Sequence, residues 1–581
     1  MTTIRETLNT RLSTAMSEVT NTPDSNANVI IASRAEFGDY QANGVMSAAK
    51  LLKTNPRELA QQVVDHVIAK AGEEGLIDRL EIAGPGFINI HLANDWLEHR
   101  ANELQGDTQS LIPKVSAPQT IVVDYSSPNL AKEMHVGHLR GTIIGDSLVR
   151  VLERLGHNVI RQNHVGDWGT QFGMLIAYLQ LISEDTASLS TELADLEVFY
   201  RAAKAKFDAD PAFAETARAS VVKLQGGDKQ SLVIWEQFIE ESLRHCEAVY
   251  KKLKIKIQRS DLRAESFYNN KLQSIVNDLD KKGMMSVSDG AHCVFLDQFT
   301  GKDGKPLPVI IQKSDGGYLY ATTDLAAIQY RATELAADRV LYVVDARQSL
   351  HFQQVFAVAR QAGFASEDCQ LEHVAYGTMM GKDGRPFKTR SGDTIKLVDL
   401  LNEAIRRAHK LVTDKNPALE ADLRQQIAET VGIGAVKYSE LSKNRTSDYV
   451  FDWDSMLSFD GNTAPYLLYA YTRIKSILRK QGDTKGSSGS IIITESEERA
   501  LFIKLLQLPE VLQVVANDYF PSHLCTYLYE LSGLFMRFYE ACPILKANPQ
   551  TRASRLALAE IAASTLQEGL SLLGLDTLEQ M

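Results

Sequence analysis

Two histidines one helical turn apart are the residues best suited to chemistry in this sequence. His135 and His138 stand at positions i and i+3, so at a helix start both face the same way. Gly137 lies between them and lets a ligand approach the backbone closely. The free N–H groups and the dipole of a helix start favour a phosphate, and Lys132 adds a cation. These residues predict a triphosphate site; a capped helix start or half of a metal site are the alternatives.

The residues before the histidines predict the elements that position them. The β-branched run Ile121-Val122-Val123 is typical of a buried strand. Small, polar and turn-prone residues follow at positions 126–129. A strand, a turn and a helix in this order favour the phosphate site over the other two interpretations.

Composition indicates an ordinary globular protein of several domains. The chain has 581 residues, of which 44% are hydrophobic and 23% charged. No apolar run approaches the roughly 20 residues that span a bilayer, so we expect no membrane segment. The net charge of −11 argues on average against nucleic acid as a partner. Local basic strips such as residues 406–410 can still form a binding face.

Cysteine usage and the N-terminus bear on the compartment. The five cysteines are scattered, odd in number and never in CxxC spacing, which fits reduced thiols and predicts no zinc or other metal site. The first 19 residues are amphipathic and lack the apolar block of a signal peptide. Glu6 and Glu18 argue against a cleaved organellar segment. We therefore expect a cytoplasmic protein.

The order of patterns along the chain predicts three domains. Residues 113–400 read as βα repeats, which predict a doubly wound parallel sheet, interrupted by a helical insertion at about 183–260. Residues 1–112 predict a small α+β domain, and residues 401–581 an all-helical one. The expected fold class is thus a multidomain α/β protein. Strands in the sheet region are predicted at 121–125, 157–161, 292–296, 309–312, 340–344 and 372–375.

Polar residues at predicted strand ends complete the candidate site. Tyr320, Asp324, Gln348 and His351 all lie where strands give way to helices, and ligands of such sheets bind there. A set of helix caps is the alternative.

Two glycine-containing segments are further candidates for contact with a nucleotide. The stretch 163–173 includes Gly166 and Asp167, and it is either a backbone that follows a ligand or a tight structural turn. The stretch 377–397 starts at Gly377 and predicts a mobile loop that faces phosphates.

The lettering around the histidines resembles a known family. His135-Val136-Gly137-His138 is similar to the HIGH signature of class I aminoacyl-tRNA synthetases. The surrounding SSPN, AKE and HVGHLR resemble the arginyl-tRNA synthetases in particular, and the resemblance extends over nearly the whole chain. It implies a Rossmann-type catalytic domain, an N-terminal domain that contacts the corner of the transfer RNA, and an anticodon-binding C-terminal domain.

The resemblance implies a two-step ligation. The arginine carboxylate attacks the α-phosphorus of ATP, giving arginyl-adenylate and diphosphate. A ribose hydroxyl of the terminal adenosine then takes the aminoacyl group, releasing AMP. The expected partners are tRNA(Arg), L-arginine and ATP, with Mg²⁺ entering as the ATP complex. No tightly bound cofactor is expected, and we expect a monomer.

The site residues carried over by the resemblance fall into two pockets. A guanidinium pairs with carboxylates, so Asp124 and Asp324 are the expected acids of the arginine pocket. The remaining expected arginine contacts are Ser127, Asn129, His135, Tyr320 and Gln348. The expected ATP contacts are Lys132, His135, Gly137, His138, Gly166, Asp167, Gly377 and Lys388. The expected catalytic donors are Lys132, His135, His138 and Lys388.

One part of the class pattern is altered. Where class I synthetases carry KMSKS, this chain has Lys388-Thr389-Arg390-Ser391-Gly392, with Ser391 at the position of the second lysine. In many arginyl enzymes with this departure, a lysine just before the HIGH signature compensates. Lys132 occupies that position.

Aromatic and amide side chains at the two ends of the chain are the expected transfer RNA contacts. By resemblance, Phe37, Tyr40 and Gln41 lie near the D-loop, and Tyr466 and Tyr469 lie against anticodon bases. The alternative for each aromatic residue is a place in the protein core, where aromatic residues at helical spacing also occur.

Three other functions compete with arginine ligation. A class I synthetase for cysteine or glutamine does not need two acidic residues in its amino-acid pocket. A nucleotidyltransferase that adenylates a small molecule has no need of the long helical region. A non-catalytic RNA-binding homologue is expected to lose one of Lys132, His135 and His138, whereas this chain keeps all three.

Overall fold

A computed structural model describes residues 2–70, 75–182, 196–301, 304–387, 395–480 and 489–581. Two compact units emerge from the packing. The terminal unit comprises residues 1–115, 459–572 and 576–581, and the central unit comprises residues 116–458 and 573–575. The predicted domain boundary at residue 400 falls inside the central unit.

Helices and strands carry the following bounds in the described residues. The helices are α1 (Ile4–Thr20), α2 (Val45–Leu52), α3 (Pro56–Ala69), α4 (Asn94–Glu103), α5 (Leu139–Leu155), α6 (Thr170–Ile182), α7 (Leu196–Ala209), α8 (Pro211–Gln225), α9 (Lys229–Leu253), α10 (Asn269–Lys281), α11 (Tyr320–Thr333), α12 (Ser349–Gln361), α13 (Leu397–Lys415), α14 (Ala421–Leu441), α15 (Trp453–Met456), α16 (Ala464–Arg479), α17 (Ser496–Leu506), α18 (Leu508–Asp518), α19 (Ser522–Ala541) and α20 (Pro549–Leu572). The strands are β1 (Val29–Ile31), β2 (Tyr40–Ala42), β3 (Ile77–Ala83), β4 (Phe87–Leu92), β5 (Thr120–Asp124), β6 (Asn158–Gln162), β7 (Met285–Ser288), β8 (Ala291–Thr300), β9 (Pro306–Gln312), β10 (Arg339–Tyr342), β11 (Gln370–His373), β12 (Met379–Met380) and β13 (Tyr449–Val450).

The central unit is built on the predicted parallel sheet. Its strands lie in the order β11-β10-β5-β6, and every neighbouring pair is parallel. The order reverses between β5 and β10, which makes their carboxyl ends the switch point where ligands of such sheets bind. Val122 and Val340 of these strands are fully buried against apolar side chains of α11 and α12. The prediction of a parallel sheet is confirmed.

Strands β7, β8 and β9 form a separate antiparallel sheet. The strands predicted at 292–296 and 309–312 were expected in the parallel sheet, and that expectation is wrong. A parallel pair needs a crossover of a dozen or more residues, whereas only residues 301–305 join β8 to β9. The short connection therefore allows only the antiparallel arrangement.

The predicted helical insertion is mostly helical in its described residues 196–260. Helices α7, α8 and α9 follow one another between the two halves of the parallel sheet. Asp210 and Asp228 cap α8 and α9 with side-chain oxygens that accept backbone N–H groups. Residues 183–195 of the predicted insertion lie outside the described residues.

The terminal unit joins the two ends of the chain. Its antiparallel sheet has the order β1-β2-β4-β3 and is followed in this unit by helices α16 to α20. Arg499 of α17 makes a two-pronged ion pair with Asp39, with both N–O distances 2.8 Å. Glu510 of α18 accepts the Tyr40 hydroxyl at 2.9 Å and the Arg5 backbone N–H at 2.8 Å. The first domain and the last helices are therefore packed as one body.

Buried positions account for two further features. Ser496–Asp518 is apolar enough to cross a membrane by composition, but it comprises two helices and 67% of its most apolar window is buried, as in a core. All five cysteines are buried and unpaired with one another. Burial raises the pKa of the Cys246 thiol to about 12, so this thiol is inert at neutral pH.

Candidate active site

The two histidines are oriented by backbone hydrogen bonds at the start of α5. Nδ1 of His135 accepts the Gly137 N–H at 3.0 Å, and Nδ1 of His138 accepts the His135 N–H at 3.1 Å. Their ring centroids lie 4.0 Å apart. Because both Nδ1 atoms accept, each neutral ring carries its proton on Nε2. The pair therefore presents two N–H donors.

Both imidazoles are neutral at pH 7. Burial, reinforced by the nearby His135 and Lys132, lowers the pKa of His138 to about 3. Burial and the charges of Lys132 and Arg347 also lower the pKa of His135 below its ordinary value of 6.5. The neutral histidines can thus offer hydrogen-bond donors to a ligand, but no positive charge.

Lys132 supplies the positive charge beside them. It is half-buried, and its Nζ lies 4.3 Å from the ring centroid of Tyr200 in α7. A cation over an aromatic face is attracted by the ring without being neutralised. The contact with Tyr200 therefore leaves Lys132 available to an anion.

The end of the predicted phosphate-facing loop pairs with the histidine turn. The Val136 N–H donates to the Ile395 carbonyl at 3.0 Å, and the Leu397 N–H donates to the Met134 carbonyl at 2.9 Å. The chain from residue 395 onward is therefore bonded to the segment that carries His135. Lys388 and residues 389–394 lie outside the described residues, so its predicted ATP contact stays a prediction.

Asp324 lies near the start of α11, held by two histidines. His351 of α12 approaches one carboxylate oxygen with its Nε2 at 2.6 Å, and His164 approaches the other at 3.8 Å. The ring of Tyr320 meets the ring of His351 edge-on at 4.8 Å between centroids. Gln348 is exposed one turn before His351. The structure therefore brings Tyr320, Asp324 and His351 together, although Tyr320 and Asp324 follow β9 of the antiparallel sheet and only His351 follows a strand of the parallel sheet.

Further acids lie near Asp324. Burial, then repulsion from Asp167 and Asp324, raises the pKa of Glu265 to about 8. Glu265 was not predicted, because it follows a short irregular stretch with no distinctive pattern. His164 was not predicted either, although it lies two residues after the parallel strand β6, where ligands of such sheets bind.

Asp124 is bonded within the protein, which argues against the expectation that it is a second pocket acid. It is 5% exposed and accepts the Arg331 Nη2 at 2.8 Å and the Ser127 hydroxyl at 2.9 Å. Nε of Arg331 donates to Gln162 at 2.7 Å, and its guanidinium stacks 4.9 Å from the centroid of Tyr342. An internal guanidinium therefore occupies the carboxylate that was assigned to the ligand.

Asp167 is likewise structural, contrary to its predicted ATP contact. It is 2% exposed, and its carboxylate accepts the Ser266 backbone N–H at 2.9 Å and the Ser266 hydroxyl. Burial raises the pKa of its carboxyl group. The side chain therefore ties the loop to Ser266.

Two predicted glycines have close neighbours in the protein itself. A Cβ at Gly166 would lie 3.2 Å from the Asn129 amide nitrogen, and the two segments pair through the Leu130 N–H and the Gly166 carbonyl at 2.9 Å. A Cβ at Gly377 would lie 2.7 Å from the Ser447 backbone. Packing explains Gly377, whereas Gly166 supports the loop that carries the exposed Asn129.

The aromatic residues of the terminal unit differ in accessibility. Tyr40 is fully buried with its hydroxyl on Glu510, so its expected contact with transfer RNA is wrong. Gln41 donates to Asn89 at 2.7 Å, and Phe37 is half-buried. Tyr466 packs against Tyr529 with centroids 5.4 Å apart, and Tyr469 is 42% exposed.

Metal-ligating side chains do not gather at this site. Within the described ranges, no group of three or more histidine, cysteine, aspartate or glutamate side chains is placed to hold a metal ion. The histidine pair has its Nδ1 atoms occupied by backbone N–H groups, which favours the phosphate interpretation over half of a metal site.

Three family models match consecutive parts of the chain. The model described as tRNA synthetases class I (R), catalytic domain, matches residues 101–453. The DALR anticodon binding domain matches residues 467–581, and the Arginyl tRNA synthetase N terminal domain matches residues 3–92. These bounds follow the two units more closely than the predicted boundary at residue 400.

Relatives match over the full length. An arginine–tRNA ligase of Laribacter hongkongensis is 58% identical, with 96% of each chain covered. One of Marinomonas sp. is 54% identical, with both chains covered completely. The crystal structure of arginyl-tRNA synthetase from Plasmodium falciparum superposes with a TM-score of 0.84 at 29% identity, again over both complete chains. With its catalytic-domain model spanning more than half of the sequence and such relatives matching end to end, the chain belongs to the class I arginyl-tRNA synthetase family.

Proposed function

We propose that this chain ligates L-arginine to tRNA(Arg) at the expense of ATP, through an arginyl-adenylate. The observation that carries the proposal is a donor site after β5 together with an acidic site held by His351, which follows the neighbouring strand β10. One presents the neutral donors His135 and His138 with the cation Lys132, and the other presents the carboxylate Asp324. Donors and a cation suit a triphosphate, and a held carboxylate suits a guanidinium.

The chemistry needs no covalent nucleophile on the protein. In the first step the arginine carboxylate oxygen bonds to the α-phosphorus of ATP, and the bond to diphosphate breaks. In the second step a hydroxyl of the terminal ribose attacks the aminoacyl carbonyl, and AMP leaves. The residues contribute by aligning the reactants and by donating hydrogen bonds to charge that develops on phosphate oxygens. Mg²⁺ enters with ATP as part of the substrate.

The proposed arginine pocket contains fewer side chains than the sequence predicted. Asp324 binds the guanidinium, and Tyr320 and Gln348 border it. Asn129 and the loop at Ser127 lie on the side of the α-amino group. Asp124 is left out because its carboxylate is bound by Arg331. Lysine lacks the fork of donors that a guanidinium offers, so this site disfavours lysine.

The proposed partners follow from the accessible surfaces. Phe37 and Tyr469 are the aromatic candidates for stacking on transfer RNA bases, with Tyr466 and Gln41 beside them. We also propose that the enzyme acts in the cytoplasm and as a monomer, without a tightly bound cofactor.

An aminoacylation panel tests the function. Unfractionated transfer RNA is incubated with the protein, ATP and each amino acid in turn. We expect arginine alone to be attached. Attachment of cysteine or glutamine would identify another class I synthetase, and release of diphosphate without labelled transfer RNA would identify a nucleotidyltransferase. No reaction with any amino acid would indicate a non-catalytic RNA-binding homologue.

Substitution of Lys132 tests the cation at the histidine turn. We expect Lys132→Ala to lower the transfer-RNA-dependent ATP–diphosphate exchange rate at least tenfold, or about 1.4 kcal/mol, because the charge on the triphosphate loses its partner. Lys132→Arg keeps the charge and should lose less. Lys223→Ala, at an exposed position of α8, serves as the matched control. An exchange rate unchanged in Lys132→Ala would remove Lys132 from the mechanism.

Glu265 gives the arginine KM a dependence on pH. Its pKa of about 8 in the free enzyme means that the carboxyl is mostly protonated at pH 7, facing Asp167 and Asp324. A bound guanidinium favours the ionised form, so arginine binding expels a proton and strengthens as the pH rises. We expect the arginine KM to fall up to about eightfold between pH 7 and 8.5. In Glu265→Gln this fall should disappear, and its persistence there would contradict the assignment.

A further inference from the structure

Helix α9 of the insertion bonds to both loops that form the candidate site. The Trp235 indole N–H donates to the Asp167 carbonyl at 2.7 Å. The Ser242 hydroxyl donates to the Leu130 carbonyl. Tyr250, near the end of the helix, places its hydroxyl between Ser126 and Asn163. One helix thus holds the segment before the histidines and the segment after β6.

The segment before the histidines is strained. Ser126 has φ of 73° and Ser127 has φ of 44°, so two consecutive non-glycine residues lie in the left-handed region. Such conformations are unfavourable for residues with a Cβ and persist only where the surroundings fix them. What fixes these two serines therefore determines the shape of the proposed amino-acid loop.

Hydrogen-bond directions can be assigned along a chain of hydroxyls. The Thr142 hydroxyl donates to the His138 carbonyl at 2.7 Å, so it accepts from Ser126, whose oxygen is 2.8 Å away. Ser126 has then used its only proton and accepts from the Tyr250 hydroxyl at 2.8 Å. The chain runs from α9, through the strained loop, to the second histidine.

Asn163 closes the arrangement from the other side. Its Nδ2 donates to the Tyr250 oxygen at 3.1 Å, and its Oδ1 accepts the Ser127 N–H at 2.9 Å. Tyr250 is 5% exposed and Asn163 2% exposed, so water does not readily replace either partner. Burial also raises the pKa of Tyr250 well above its ordinary value, which keeps the donor proton in place.

We propose that Tyr250 is a positioning residue for arginine binding: its hydroxyl holds Ser126 and Ser127 in the left-handed conformation and ties them to His138 and Asn163. The hydroxyl touches no substrate and acts through the loop. The inference rests on the proposed function, in which the Ser127 loop receives the α-amino end of arginine. It assigns to the insertion helix a part in shaping the amino-acid site.

Replacement of Tyr250 by phenylalanine tests the proposal. We expect Tyr250→Phe to raise the arginine KM about tenfold and to leave the ATP KM within twofold, because one buried hydrogen-bond network of about 1.4 kcal/mol is lost at the loop. A merely structural role would reduce the fraction of folded enzyme, which lowers kcat and leaves every KM unchanged. Tyr527→Phe is the matched control, because Tyr527 is also buried and donates to the Lys504 carbonyl at 3.0 Å.

Two changes at Ser126 keep the proposal testable if Tyr250→Phe does not fold. Ser126→Ala loses the hydroxyl at a strained position, whereas Ser126→Gly loses it where glycine adopts positive φ without strain. We expect the alanine variant to raise the arginine KM more than the glycine variant. We also expect the arginine KM of the double variant, Tyr250→Phe with Ser126→Ala, to exceed that of the poorer single variant by no more than about twofold. Both changes break the same hydrogen-bond network.

Three outcomes decide the matter. An arginine KM within twofold of wild type in folded Tyr250→Phe overturns the proposal, as does equal behaviour of Ser126→Ala and Ser126→Gly. A crystal structure of Tyr250→Phe should show Ser126 and Ser127 leaving positive φ, and retention of both angles also overturns it. This last readout needs no substrate, so it stays decisive if the wild type does not charge transfer RNA with arginine and the proposed function itself fails.

Discussion

Asp324→Asn is expected to lower kcat/KM for arginine by two to three orders of magnitude. Truncating one partner of a buried charge pair costs about 2–5 kcal/mol, which is about 30-fold to 4000-fold. Asparagine has the shape of aspartate and can still bond to His351, which lies 2.6 Å from the carboxylate. The loss should therefore appear in arginine binding, measured as the arginine KM in the aminoacylation assay, with the ATP KM unchanged.

The choice of substrate gives a second readout for Asp324. Citrulline has the shape of arginine without the positive charge, so the wild type should reject it through the unpaired carboxylate. In Asp324→Asn the preference for arginine over citrulline, measured by competitive diphosphate exchange, should shrink at least tenfold. Asp297→Asn, at an exposed position of β8, is the matched control. An arginine kcat/KM within twofold of wild type would place Asp324 outside the pocket.

Loss of the Nε2 donor of His138 should lower kcat by about 100-fold to 1000-fold. That range is typical of removing one preorganised donor from a developing oxyanion. Asparagine can reproduce the ring's Nδ1, which accepts the His135 N–H at 3.1 Å, but it does not reach the position of Nε2. Glutamine can reach that position. We therefore expect His138→Asn to lose more activity than His138→Gln in steady-state aminoacylation, with arginine KM little changed in both.

The pH dependence distinguishes a neutral donor from an imidazolium. With a pKa of about 3, His138 carries no charge between pH 6 and 8, so the ratio of wild-type to His138→Asn kcat should be constant over that range. A ratio that falls as the pH rises would show that the protonated ring is the active form. His99→Asn, whose side chain is 76% exposed, is the control for the substitution itself.

Local sequence signals predicted most of the central unit. The run at 121–123 specified the buried strand β5, and polar residues at strand ends led to the grouping of Asp324, Tyr320 and His351. These signals depend on a few neighbouring residues, and the carboxyl ends of parallel strands meet wherever the sheet forms. For this reason the histidine turn was predictable, whereas Asp324 follows β9 of the antiparallel sheet, so its place beside His351 does not follow from this rule.

The errors came from partners that lie far away in the sequence. Asp124 is neutralised by Arg331, 207 residues later, and Tyr40 is buried against Glu510, 470 residues later. A conspicuous acid after a strand and an aromatic in a polar segment look available to ligands until those partners are known. Asp167 was misassigned for the same reason, because Ser266 satisfies its carboxylate from 99 residues away.

The contacts that join Asp39 and Tyr40 to helices α17 and α18 determine how a role of the first domain in RNA binding is best tested. Removing residues 1–92 would leave Arg499 without its carboxylate and would uncover Glu510 together with the apolar side chains around it. A shortened protein that fails to charge transfer RNA would then report damage to the remaining helices as much as a missing contact. Single replacements at accessible positions such as Phe37 leave these contacts intact and separate the two causes.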